Sequence, residues 1–141
     1  MVAALLPLSG ARVLEVGAGS GYMAAVLRAA GASEVVTLEL IPELAATARR
    51  NLNRAGVGRV EVRCQDGRRG APDRAPFHAV VVSAAAGTVP AALLGQVAEG
   101  GTVLAPLGGP EEQELVRLRR GAGGEWQTEV LGSCRFVPLL E

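Results

Sequence analysis

Arg12-Val13-Leu14-Glu15-Val16-Gly17-Ala18-Gly19-Ser20-Gly21-Tyr22 is the stretch on which the fold turns. RVLEV (12–16) is an apolar run closed by glycines, which predicts a first buried strand. Residues 22–30 are rich in Ala and Leu at helical spacing, and Gly31 follows as a C-cap. Gly17, Gly19 and Gly21 therefore link a strand to a helix. Glycine at such a link lets the chain turn tightly and approach a ligand with no Cβ in the way. The helix start adds unpaired N–H groups that suit a carboxylate. Tyr22 stands where a GxGxxG pattern needs its third glycine, which disfavours a pyrophosphate-binding turn. Purely structural strand–helix turns use glycine too, so the turn needs company.

Working outward, strand and helix signals alternate. Residues 2–8 read as a short helix stopped by Pro7 and Gly10. EVVTLEL (34–40) is a second strand. Pro42 opens a helix running to about Arg54, with Leu44, Ala48, Leu52 and Ala55 on one face and Gly56 at its end. RVEVRC (59–64) is a third strand, and 65–76 a polar loop. HAVVVS (78–83) is a fourth, fully buried strand. Residues 90–98 read as a helix, Gly100-Gly101 as a turn, and TVLAPL (102–107) as a fifth strand. Then the character changes: 113–119 and 126–131 are extended segments separated by Gly121-Ala122-Gly123-Gly124, a hairpin signal. Residues 136–140 either extend that hairpin or cover an edge. The fold class expected is α/β and Rossmann-like. Its sheet is mostly parallel, with helices on both faces and a C-terminal antiparallel hairpin. A dinucleotide-binding fold would continue instead with another strand–helix unit.

Composition agrees. The 141 residues suit one domain, 1–141, and 49% are hydrophobic but only 3% aromatic. The core must be Val, Leu and Ala, as in a parallel sheet buried on both faces. The formal net charge is zero, which argues against a broad nucleic-acid or anionic-membrane footprint. The basic runs Arg68-Arg69 and Arg117 to Arg120 read as solvated faces. Cys64 and Cys134 are the only cysteines and sit in no metal-ligand spacing, so no metal is expected, and two isolated thiols fit a reducing cytoplasm. The apolar start at Met1 is too short for a membrane span.

Three features keep the glycine turn company, all at carboxyl ends of adjacent strands, where open α/β sheets bind ligands. Glu39 ends the second strand, followed by Leu40, where a carboxylate accepts both hydroxyls of a ribose. On sequence alone its replacement would weaken binding with little effect on folding. Asp66-Gly67 follows the third strand, where Asp accepts from an adenine amino group; an ordinary Asp-Gly turn reads the same way. Ser83-Ala84-Ala85-Ala86 ends the fourth strand with small residues, leaving room beside a sulfonium. The candidate S-adenosyl-L-methionine site is thus Glu15, Gly17, Ala18, Gly19, Ser20, Gly21, Glu39, Leu40, Asp66, Gly67 and Ser83. His78, the only histidine, reads as structural or solvent-tipped.

VLEVGAGSGYMAAVL (13–27), LELIPELAATARRNL (38–52), QDGRRGAP (65–72), the run from Ala75 to Gly108, QELVRLRR (113–120) and CRFVPLL (134–140) together resemble the protein-L-isoaspartate O-methyltransferase family. General class I methyltransferases share the glycine turn and the acid, but not VSAAA, GGTVLAPLG and RFVPL together. The resemblance implies S-adenosyl-L-methionine as methyl donor and isoaspartyl residues of damaged proteins as substrate. The ester product closes to a succinimide that can reopen to aspartate. It also implies that residues 136–139 lie near the active-site mouth. The family has an upstream Ile-Ser-x-Pro segment with a serine regarded as catalytic, which has no counterpart in a sequence starting Met1-Val2-Ala3. Poor turnover of isoaspartyl peptides by this chain, or none, is expected on that ground, and no catalytic residue is assigned. Gln65 stands where the family usually has Gly, and His78 where it often has Asp. The rival readings are a non-catalytic S-adenosyl-L-methionine-binding relative or fragment, and a methyltransferase for a small acid.

Overall fold

The β-branched runs separated by glycine-closed helices assemble as their periodicity predicts. The computed structural model describes residues 2–139. Its strands are β1 (Arg12–Val16), β2 (Glu34–Glu39), β3 (Val60–Cys64), β4 (Phe77–Val82), β5 (Val97–Gly108), β6 (Gln113–Arg120) and β7 (Trp126–Cys134). Its helices are α1 (Tyr22–Ala29), α2 (Pro42–Arg54) and α3 (Ala91–Leu94). One seven-stranded sheet runs in the order β3-β2-β1-β4-β5-β6-β7. β1 to β5 pair in parallel, and β6 and β7 each pair antiparallel with the strand before. The chain order reverses between β1 and β4, and a crevice opens at the carboxyl ends there.

Side-chain alternation splits the core into two layers. Val13, Val35, Ala79 and Val81 face α1 and α2 through Ala24, Leu27 and Leu52. Leu14, Val16, Val36, Leu38, Val80 and Val82 face α3 and the 65–76 loop through Leu93 and Ala71. Helices thus cover both faces, as expected. Burying a Val or Leu side chain contributes about 1.5–3 kcal/mol, so the almost unbroken burial of β1, β2 and β4 holds the centre of the sheet rigid.

Several boundaries differ from the sequence reading. Residues 2–8 contain a 3-10 turn, Val2–Leu5, rather than an α-helix. The 90–98 helix stops at Leu94, because Val97 enters the sheet opposite Phe77. Gly100-Gly101, read as the turn before β5, lies inside that strand. Gly100 has φ +76°, and a Cβ on Gly101 would sit 2.7 Å from the Ala98 carbonyl. The pair kinks β5 where its register against β4 shifts. On α2 the buried residues are Ala45, Ala48 and Leu52, whereas Leu44 and Ala55 are exposed. His78 is exposed within a strand read as fully buried.

The two sheet edges differ. Beside β3, Arg63 pairs with Glu61 and Asp73, and Arg74 also reaches Glu61. β7 is exposed along almost its whole length, with Val130 54% and Leu131 36% accessible.

Candidate cofactor cleft

The turn after β1 is built by left-handed backbone. Gly17, Gly19 and Gly21 have φ of +98°, +52° and +90°, a region that costs other L-residues roughly 1–2 kcal/mol. Gly21 has a packing reason as well: a Cβ there would lie 3.2 Å from the Ala48 carbonyl of α2. The N–H groups of Gly17 and Ala18 both donate to the Leu38 carbonyl, at 2.8 and 3.2 Å, which lashes the turn to β2.

Glu39 completes that lashing. Its Oε1 accepts the Gly19 N–H at 3.0 Å and its Oε2 the Ile41 N–H at 3.2 Å. One carboxylate thereby joins the glycine turn to the start of α2, where no side chain caps the helix. Each oxygen still has acceptor capacity for a ligand hydroxyl. These two hydrogen bonds give Glu39 a structural role beside its spare acceptor capacity, so its replacement is expected to affect folding as well as binding.

A cleft opens above these groups at the carboxyl ends of β1, β2 and β4. Gly17, Gly19, Glu39, Leu40, Gly67 and Ser83 line it. The other five candidates stand apart from its wall. Ala18 and Gly21 are buried in the turn. Ser20 is exposed, its carbonyl accepting from Asn51 Nδ2 at 2.9 Å. Asp66 faces Arg68, accepting its backbone N–H at 3.0 Å and its guanidinium at 2.8 Å, and this pairing holds the Asp66 carboxyl below the usual carboxylate range. Gly67 is required by closeness: a Cβ there would lie 2.4 Å from Val16 Cγ1.

Glu15 lies beneath the cleft, fully buried on the face shared with α1 and α2. Its Oε1 accepts from Thr37 Oγ1 at 2.6 Å, and its Oε2 is 3.5 Å from Ser83 Oγ. Burial pushes its carboxyl up to about 8, against the pull of the Thr37 and Ser83 hydroxyls, with the Glu39 charge adding to the rise.

The apolar wall was less legible in the sequence. Ile41 and Leu44 line the cleft on one side, and Val137, Pro138 and Leu139 on another. Leu44, which helical spacing puts on one face with Ala48 and Leu52, is exposed at the cleft instead of buried with them. The C-terminal segment pairs with residues after β4: the Ala85 N–H donates to the Val137 carbonyl at 2.7 Å, and the Leu139 N–H to the Ala85 carbonyl at 2.8 Å. Position 140 lies outside the described residues. Gln113 positions the segment, its Oε1 accepting the Phe136 N–H at 2.7 Å. His78 stands at the opposite, amino end of β4, where its Nδ1 accepts the Arg12 N–H at 2.9 Å.

Among the described residues, no group of three or more His, Cys, Asp or Glu side chains could hold a metal ion. No described helix is long and apolar enough to cross a membrane.

Comparison with known proteins gives a consistent picture. The family model for protein-L-isoaspartate(D-aspartate) O-methyltransferase matches residues 1–141. Protein-L-isoaspartate O-methyltransferase of Methanospirillum hungatei is 46% identical over 140 residues, covering 99% of this chain and 64% of the relative. Protein-L-isoaspartate O-methyltransferase 2 of Marinobacter nauticus is 49% identical over 130 residues, covering 92% and 59%. The chain thus spans about three fifths of the length of these curated relatives. A solved protein-L-isoaspartate O-methyltransferase superposes with a TM-score of 0.90 at 27% identity, covering 99% of this chain and 45% of the other. The methyltransferase of Thiobacillus denitrificans, solved with S-adenosyl-L-homocysteine, shares the fold alone, at TM-score 0.62 and 22% identity over 73% of this chain and 44% of the other.

Proposed function

The chain belongs to the protein-L-isoaspartate(D-aspartate) O-methyltransferase family, and from that premise we propose that it carries the S-adenosyl-L-methionine site of an enzyme that methylates isoaspartyl carboxylates. The observation that carries the cofactor half is the Glu39 carboxylate, fixed by two backbone N–H groups at the cleft wall with acceptor capacity to spare. A ribose diol is the ligand group that matches two adjacent acceptors. Gly17 and Gly67 keep the floor free of side chains, and Ile41, Leu44 and Val137 to Leu139 supply apolar walls for a purine and thioether.

The bound cofactor supplies an electrophilic methyl group on a sulfonium. The acceptor carboxylate is already ionised at neutral pH, so the protein needs no strong general base. Its task is alignment and exclusion of water. Ser83 and Ala84 leave space at the strand end, and residues 137–139 cover it from one side. Isoaspartyl proteins are the substrates that fit the family, and two free thiols suit a reducing compartment such as the cytoplasm.

The test is methyl transfer to an isoaspartyl peptide beside its aspartyl twin, with S-adenosyl-L-homocysteine binding measured calorimetrically. Transfer to the isoaspartyl peptide alone is the expected result. Binding without transfer to either peptide would leave a cofactor-binding unit without turnover. Tight NAD binding with no S-adenosyl-L-homocysteine binding would overturn the reading altogether.

A further inference from the structure

A fully buried carboxyl beneath a cleft is costly unless its charge is managed. Glu15 has hydroxyl partners rather than a cation: Thr37 from β2, and Ser83, which itself lines the cleft. Among the described residues the one ionisable side chain acting on it is Glu39, another acid. β4 contributes Val81 to that face, and α1 and α2 bury Ala24, Leu27, Ala45, Ala48 and Leu52 against it, none of which titrates. Among the described residues no cationic side chain balances a negative charge on Glu15. A cation seated in the cleft would.

We propose that Glu15 is the charge sensor of the cleft, staying neutral beneath a neutral thioether and releasing its proton when a sulfonium is seated, so that methyl donor and spent product are distinguished by charge. The inference rests on the cofactor reading above. The Glu15 carboxylic acid becomes a carboxylate, and its proton passes to the solvent buffer. Thr37 and Ser83 donate hydrogen bonds to the carboxylate once it forms, so ionisation needs no rearrangement of the strands. Donor and product share adenosine, ribose and amino-acid groups; they differ by the methyl group and its positive charge. A neutral Glu15 barely discriminates between them, whereas an ionised one favours the donor. Burial already holds the group near the middle of the accessible pH range, so a modest bias from a nearby cation tips it.

The experiment measures S-adenosyl-L-methionine and S-adenosyl-L-homocysteine affinities at pH 6 and pH 8.5, each in two buffers of different ionisation enthalpy to count protons released. The expected result is that preference for the donor grows at least tenfold over this range. Tenfold corresponds to a drop of about one pKa unit in Glu15 on donor binding. Donor binding should also release more protons near pH 7 than product binding. Glu15→Gln, which keeps the hydrogen-bonding shape of the neutral acid, should lose both effects while still binding both ligands. The ligands' own amino groups titrate equally in wild type and variant, so the difference isolates Glu15. A wild-type preference constant with pH, or the same rise in Glu15→Gln, overturns the proposal. A donor-minus-product proton release that is the same in the wild type and in Glu15→Gln overturns it as well. If neither ligand binds at all, the cofactor reading falls first.

Discussion

Replacing Glu39 with Ala should damage two properties at once, and their ratio is the informative quantity. The carboxylate accepts the Gly19 and Ile41 N–H groups at 3.0 and 3.2 Å. Hydrogen bonds to a charged acceptor contribute about 1.5–3 kcal/mol each. The cleft admits water, which re-satisfies part of the loss, so about 1.5–3 kcal/mol of stability in total is expected to disappear. Binding of S-adenosyl-L-homocysteine should weaken separately. Losing even one net charged hydrogen bond to a ribose hydroxyl costs about 1.4 kcal/mol or more, which is tenfold or more in Kd. Urea unfolding gives the first number and calorimetric titration the second. Ligand at a hundred times its Kd should stabilise the wild type by about 2.7 kcal/mol, and the variant far less at the same concentration. A variant that loses stability yet binds with wild-type affinity would show that Glu39 only staples the turn to α2, and the ribose assignment would be wrong.

Glu15→Gln should change how stability depends on pH. The folded pKa lies above the unfolded one, so between about 4.5 and 8 the folded chain holds a proton that the unfolded chain has lost. Stability from this group is complete below 4.5 and is lost as pH rises, at up to about 1.4 kcal/mol per unit, levelling off above 8. The variant should lack that slope; equal slopes in urea midpoints at pH 5.5 and 7.5 would refute it. Gly21→Ala should cost about 2 kcal/mol or more, since it combines strained backbone with a 3.2 Å approach to the Ala48 carbonyl. Gly19→Ala, whose Cβ would meet open space, should cost only the conformational part, about 1–2 kcal/mol; chemical denaturation of the pair checks the ranking. Gln113→Leu should unpair the Phe136 N–H and the Gly109 carbonyl. It should lower stability by about 1–3 kcal/mol and weaken ligand binding by loosening residues 137–139. Binding that stays unchanged would place that segment outside the ligand's reach.

The centre of the sheet was legible because local and tertiary signals agree there. β1 and α2 match their predicted ranges, since glycine and proline punctuate runs with one clear period. The errors fall where tertiary contact overrules local pattern. Residues 90–98 have helical composition, but Val97 pairs with Phe77 and is buried in the sheet, and two glycines let β5 kink rather than turn. Leu44 fits an amphipathic stripe, yet α2 turns Ala45 inward, so the larger side chain reaches the cleft. Glu39 was recognisable as a strand-end acid, but no one-dimensional pattern reveals that it accepts two backbone N–H groups from separate elements. Asp66 illustrates the converse: its partner Arg68 was two residues away in plain sight, and spacing alone left its orientation open.

The unequal sheet edges have a consequence for solubility. Any outermost strand offers a row of unpaired N–H and C=O groups to a neighbouring molecule. The β3 side is guarded by Arg63, Arg74, Glu61 and Asp73, long charged side chains that an incoming strand would have to strip of water. On β7 the only charged side chain is Glu129, already engaged by Arg117, beside the exposed Val130 and Leu131. Among the described residues, addition of another strand is therefore opposed by charge at the β3 edge and less so at β7. A lysine introduced at 130 is the change that would close that edge.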